Sequence, residues 1–195
     1  MNYQKELEKL INTLDHKPTL LLHSCCAPCS SHCITYLKDY FDITILYYNP
    51  NIEPYSEYIK RKNEQIRLCK ILNIKYIDAN WDNTSYREFV KGLESEKEGG
   101  RRCVNCIKMR LLKTYELSKD YEYFGTTLTV SPHKNSKLIN ELGLEIDGTK
   151  YLISDFKKQE GYKKSIELSK KYELYRQDYC GCLFSKRSKD NWLVK

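Results

Sequence analysis

A chain of 195 residues with 41% hydrophobic content is sized for one domain with its own core, and no run nears the ~20 apolar residues of a membrane span. The net charge of +7, from 33 basic and 26 acidic residues, suits a polyanionic partner, and 17 tyrosines and five phenylalanines offer stacking surface for bases. The opening residues lack a secretory core, which points to the cytoplasm, where nine clustered cysteines serve metal ligation or redox chemistry better than structural disulfides.

No repeat or linker divides the sequence, so a single domain over 1–195 is expected. Leu7, Leu10, Ile11 and Leu14 share one face of an N-terminal helix over 1–16. Thr19 to His23 is a short apolar run of the kind a buried strand uses, and Ser24-Cys25-Cys26-Ala27-Pro28-Cys29 follows it. Pro28 fits the first turn of a helix reaching about Lys38. Ile43 to Tyr48 predicts a second strand, stopped by Asn49-Pro50-Asn51, and Pro54 to Leu72 a helix. Lys75 to Asp78 predicts a third strand, and Tyr86, Phe89, Val90 and Leu93 have helical spacing. Gly99-Gly100 breaks that helix just before Cys103, a further helix carries Ile107, Leu111 and Tyr115, and Tyr123 to Val130 alternates as a strand does. A helix over Gly161 to Lys171 precedes a C-terminal Cys-Gly-Cys segment at 172–187. Strands alternating with helices argue for an α/β fold, a parallel sheet flanked by helices, with sites at the carboxyl ends of strands.

Four thiolates complete a [4Fe-4S] shell, and Cys25, Cys26, Cys103 and Cys106 supply four. Arg101 and Arg102 beside Cys103 favour thiolates over thiols. The same four sulfurs would also make a structural zinc site, although the adjacent Cys25-Cys26 pair departs from the usual two knuckles. Cys29 has C-x-x-C spacing from Cys26 and its role stays open, while Cys33 and Cys69 read as core. Cys180 and Cys182 flank Gly181, so a disulfide between them would close a small, strained and labile ring. The pair reads as a redox couple or as two ligands for a second metal, with a purely structural role as the third reading. His23 is either a proton donor or a satisfied core histidine, His133 and Lys134 stand ready for phosphate, and Asp155 and Asp178 are general acids only with raised pKa values.

The motifs His23-Ser-Cys-Cys-Ala-Pro-Cys29, Tyr48-Asn-Pro-Asn-Ile52 with Glu57, Tyr58 and Arg61, Arg102-Cys-x-x-Cys106 with Arg110-Leu111, Thr127-Leu-Thr-Val-Ser-Pro132 and Tyr175-Arg-Gln-Asp-Tyr-Cys-Gly-Cys182 together resemble epoxyqueuosine reductases of the QueH type. The resemblance runs from about residue 19 to 187. It implies removal of the epoxide oxygen of epoxyqueuosine at the wobble position of the tRNAs for Asp, Asn, His and Tyr. It further implies a [4Fe-4S] cluster on Cys25, Cys26, Cys103 and Cys106, Cys180 with Cys182 as the redox-active pair, an electron donor still unidentified and no cobalamin. A further iron beside the cluster stays open.

The strand–loop–helix opening also looks like the nucleotide-binding fold of tRNA thiolation enzymes, with Ser24-Cys25-Cys26 where a glycine-rich loop would cradle pyrophosphate. That replacement implies no ATP site here. Two rival readings are a cluster-dependent tRNA sulfur transferase, which would need ATP, and a zinc-stapled RNA-binding module, which would be colourless.

Overall fold

The computed structural model describes residues 1–190, with side chains to residue 186; the last five residues of the expected domain, 191–195, lie outside the described residues. Four short strands make one parallel sheet in the order β3-β2-β1-β4: β1 Thr19–His23, β2 Asp42–Tyr47, β3 Lys75–Asp78 and β4 Tyr123–Thr126. Leu20, Leu21 and Leu22 of β1 are fully buried because the central strand has helices on both faces, which is why it reads as an unbroken apolar run. Alternation divides that run between two cores. Leu20 and Leu22 pack with Ile43 and Ile45 beneath α1 (Tyr3–Thr13), α2 (Ala27–Leu37) and α3 (Tyr55–Leu72). Leu21 turns the other way, with Leu46, Tyr48 and Met109.

Two helices cover that second face, α5 (Arg101–Glu116) and α6 (Ser136–Asp147), whose Ile107, Leu111, Ile139 and Leu142 close over Phe124. The chain also forms α4 (Asn83–Phe89), α7 (Gly161–Lys171), which packs on α2, and α8 (Leu183–Asp190). α6 and α8 go beyond the sequence expectation. α6 is set by its cap, the Asn135 side chain accepting from the backbone N–H of Lys137 and Leu138, and by the helical spacing of Leu138, Ile139 and Leu142.

Three boundaries differ from expectation for local reasons. The fourth strand stops at Thr126, opposite His23 where β1 ends, and a 3₁₀ turn over Thr127–Val130 follows. The Thr126 hydroxyl accepts from the Leu128 N–H and starts that turn. α4 stops at Phe89 rather than running to Leu93, because Gly92 takes a positive φ of 78°. Cys103 and Cys106 lie inside α5, not ahead of it, and their i, i+3 spacing puts both on one side of its first turns. The three chain segments expected to meet at the carboxyl edge do so: the loops after β1, β2 and β4 all open there.

Candidate active site

The cysteine loop is held by polar side chains from beneath. Ser24 N–H extends the β1 ladder to Leu46 O at 2.9 Å, and its carbonyl accepts from Asn49 Nδ2 at 2.8 Å. The hydroxyls of Ser24 and Ser30 both donate to Gln65 Oε1, at 2.7 and 2.8 Å. The next two residues then present their sulfurs together. Cys25 Sγ and Cys26 Sγ are 3.8 Å apart, and with Cys29 one turn along α2 all three sulfurs lie within 4.8 Å of one another. Cys29 thus leaves the undecided group and joins this cluster. Hydrogen bonds from Cys26 and then Cys29 hold the Cys25 thiol well below its ordinary value, helped by the Lys134 ammonium, and the two donors are pushed up in turn. Gln177 Nε2 donates to Cys26 Sγ at 2.9 Å.

Cys103, Cys106, Cys180 and Cys182 form a second gathering. They line a cavity of about 140 Å³ together with Tyr86, Arg102 and Arg110. The Gly99 N–H donates to Cys103 Sγ at 3.3 Å, and burial pushes the Cys106 thiol up to about 11. The Cys180–Cys182 segment is tied down through its backbone. Arg61 donates to the carbonyls of Cys180 and Tyr179 at 3.1 and 3.3 Å, and Glu57 holds Arg61 at 2.7 Å. Glu53 N–H donates to Gly181 O at 2.9 Å. Only glycine suits position 181: φ is 141°, and a Cβ would lie 3.0 Å from Ile52 Cγ1 and 3.1 Å from Asn51 Nδ2.

A larger opening of about 470 Å³ is lined by Cys25, Cys29, Cys180, Tyr162, Arg176, Gln177, Asp178 and Tyr179. The two openings share Cys180, Arg110, His133 and Lys134 as a common wall. Arg110 is 3% exposed, donates to Cys106 O at 3.0 Å, and interacts with the sulfurs of Cys106, Cys180 and Cys25. Lys134 Nζ is 3.5 Å from Cys180 Sγ, which pushes its pKa up. Two buried or half-buried cations therefore stand between the two cysteine groups. Lys134 serves a sulfur rather than an open phosphate site, and His133 is exposed at the rim. Arg110 and Gln177 are site residues that residue types alone do not single out. Their signals are positional: an arginine one helical turn past Cys106, and a glutamine three residues before Cys180.

His23 is a satisfied core histidine. Its Nε2 donates to Tyr48 O and its Nδ1 meets Thr126 Oγ1, both at 3.0 Å, and burial lowers its pKa to about 4, so it stays neutral. Cys33 and Cys69 are buried in the core as expected. Asp155 pairs with Lys157 at 2.8 Å, and Asp178 is exposed in the wall of the larger opening. The donor set fits a sulfur-bound metal centre, because three sulfurs converge and Cys25 is held toward the thiolate form that metals require, by its two cysteine neighbours and then the Lys134 charge.

Fold and site define a thiol-lined α/β protein with a parallel sheet, in which a cysteine loop stands at the first strand end. The family model described as "Epoxyqueuosine reductase QueH" matches residues 20–188. The chain belongs to that family. It is 43% identical over 201 residues to the epoxyqueuosine reductase QueH of Staphylococcus epidermidis, covering 95% of this chain and 84% of that one. With the protein of the same name from Thermotoga maritima it shares 35% identity, covering 86% and 90% of the two chains. Among solved structures, a U34-tRNA thiolase NcsA from Methanococcus maripaludis with its [4Fe-4S] cluster superposes with a TM-score of 0.51 at 13% identity, covering 93% of this chain and 67% of that one. A predicted subunit of a tRNA methyltransferase from Methanocaldococcus jannaschii gives 0.51 at 17% identity, covering 77% and 74%. These last two likenesses concern the fold alone.

Proposed function

We propose that this chain is an epoxyqueuosine reductase that acts on tRNA, holds a [4Fe-4S] cluster on Cys25, Cys26, Cys103 and Cys106, and keeps Cys180 and Cys182 as a dithiol beside it. Epoxyqueuosine reduction follows from membership of the family. The cluster ligands, the dithiol, the cobalamin-free route and the four tRNAs with a queuosine position are the finer parts of the proposal. One observation supports the cluster ligands and the dithiol: the openings lined by Cys25 and by Cys103, Cys106 and Cys182 share a wall at Cys180, Arg110 and Lys134.

Converting an epoxide to an alkene consumes two electrons and two protons, and the oxygen leaves as water. A bound cluster would supply electrons one at a time. The chain's own residues supply the rest. The larger opening, about 470 Å³, is of the size that holds a nucleobase with its ring substituent, and Tyr162 and Tyr179 give it apolar walls. Lys134 holds protons at Nζ, and its raised pKa keeps it charged where negative charge develops on the departing oxygen. Arg110, buried, offers its charge to the neighbouring sulfurs. Gln177 fixes the orientation of Cys26.

The test is iron and sulfide analysis of anaerobically purified protein, followed by conversion of epoxyqueuosine-tRNA with a chemical reductant and no ATP. A four-thiolate cluster predicts about four irons and four sulfides per chain. A colourless zinc protein, or a requirement for ATP with sulfur added to tRNA, would refute the reading.

A further inference from the structure

The carboxyl edge of the sheet carries another opening, about 440 Å³, lined by Tyr55, Tyr58, Lys62, Asn80 and Trp81. We propose that it is a stacking site for one unpaired RNA base, a nucleotide flanking the modified base in the same loop; this rests on the reading of tRNA as substrate.

The rings are arranged and fixed before any ligand arrives. Tyr55 and Tyr58 stack with centroids 5.9 Å apart and planes 19° apart, and the Trp81 ring lies 5.0 Å from Tyr55 and 6.0 Å from Tyr58. Trp81 is pinned by its Nε1–H, which donates to Ile52 O at 3.0 Å. Tyr58 is buried beneath, while Tyr55, in the first turn of α3, is 53% exposed. A large ring held half in water beside a fixed indole is a ready platform for a flat apolar partner.

Three aromatic rings also make a box for a quaternary ammonium, but this one already has its own cation. The Lys62 ammonium lies 6.0 Å from the Tyr58 centroid and pairs with Asp78. That ion pair takes up the Tyr58 side of the box, and the ring left half in water, Tyr55 beside Trp81, offers a flat face for a neutral base. Asn80, exposed at the rim, offers an amide donor and acceptor to a base edge. The chain's net charge of +7 suits the phosphates that accompany the base.

Position ties the opening to the cysteine site. The loop after β2 has one flank on each: Ile52 O receives Trp81, and Glu53 N–H, the next residue, donates to Gly181 O at 2.9 Å. A strand of RNA with one base at Cys180 and the next against Trp81 would cross a single loop. Flanking bases in a loop are unstacked and free to be captured this way.

Trp81 and Trp192 are the chain's two tryptophans, so a Trp192→Phe protein reports on Trp81 alone. Titrating it with an anticodon stem-loop RNA should quench the indole emission, and the same RNA with abasic flanking nucleotides should quench it less. Tyr55→Ala should raise Kd and KM for the stem-loop on the order of tenfold, with iron content unchanged and Tyr55→Phe restoring affinity. Unaltered affinity in Tyr55→Ala with no quenching in the wild type would overturn the stacking site and leave the tRNA reading standing. Quenching by tetramethylammonium and not by RNA would assign the box to a cationic ligand instead. A wild-type protein that binds and converts no tRNA would overturn both readings together.

Discussion

The two cysteine groups are assembled by opposite means. Cys25, Cys26 and Cys29 come from five consecutive positions and are aimed by a strand end running straight into a helix, with Gln65, Ser24 and Ser30 as an internal clasp. Cys103, Cys106, Cys180 and Cys182 come from two segments far apart in sequence, and the second has little regular structure around it, relying on Arg61 and Glu53 for anchorage. The first group owes its geometry to local chain direction. The second owes it to tertiary contacts, which open more readily than the sheet does. A site that must bind a large substrate and pass electrons gains from having one rigid side and one adjustable side.

Removing a ligand breaks this comparison most severely. Cys106→Ala should lose the brown colour and nearly all bound iron, with activity abolished, because a cluster bridging both groups cannot rest on the rigid one alone. Iron counts and the visible spectrum decide it. If Cys106→Ala stays fully coloured while Cys29→Ser bleaches, then the local triad holds the metal and the second group has another task.

A smaller and more selective effect is expected at the adjustable side. Cys182→Ser should keep its iron, convert epoxyqueuosine-tRNA in the first turnover, and then stall, since the dithiol can no longer be recycled. Measuring iron per chain beside a progress curve separates the outcomes. A drop in iron would make the pair metal ligands, and undiminished multiple turnover would leave it as structure.

The joint between the two groups is α7, which packs on α2 and leads into the Cys180 segment. At its first residue, a Cβ on Gly161 would lie 1.7 Å from Phe156 O and 2.7 Å from His32 Nε2. Gly161→Ala should therefore push α7 off α2 and lower stability by about 1–3 kcal/mol, read as a shift in the urea midpoint. Iron content per chain should fall less than activity does.

The same division explains what the sequence made legible. Thr19 to His23 is a strand for reasons contained in its own five residues, and Pro28 marks the start of α2 as surely. The grouping of Cys25 with Cys26 follows from adjacency. By contrast, that Cys103 and Cys106 line one cavity with Cys180 and Cys182 depends on how α5 and the C-terminal segment dock, which no local pattern encodes and the sequence reading did not anticipate. The end of β4 at Thr126 is likewise set from outside, by where β1 stops. Arg110 shows the limit most clearly, since only the packed fold reveals that this arginine, like Arg102 in the same helix, is buried.

The smallest expected effect probes the same joint by titration. His32 of α2 is 8% exposed and faces α7, where burial first and the Lys164 charge second lower its pKa from 6.5 to about 4. The folded protein then carries this imidazole neutral, while the unfolded chain binds a proton below about pH 6.5. Stability attributable to His32 is present above that pH and is lost as pH falls toward 4. With solvent screening at a site near the α2–α7 surface, the loss is on the order of 1 kcal/mol. His23 follows the same direction, and the exposed His16, raised by the hydrogen bonds it donates to Asp15 and then Glu122, runs opposite. Subtracting the pH profile of a His32→Gln protein from that of the wild type removes both contributions. A difference curve that slopes downward from pH 7 to pH 4.5 identifies the α2–α7 contact as the seat of the effect. A flat difference would mean that His32 reaches water in solution and that α7 rests more loosely on the rigid group than its packing indicates.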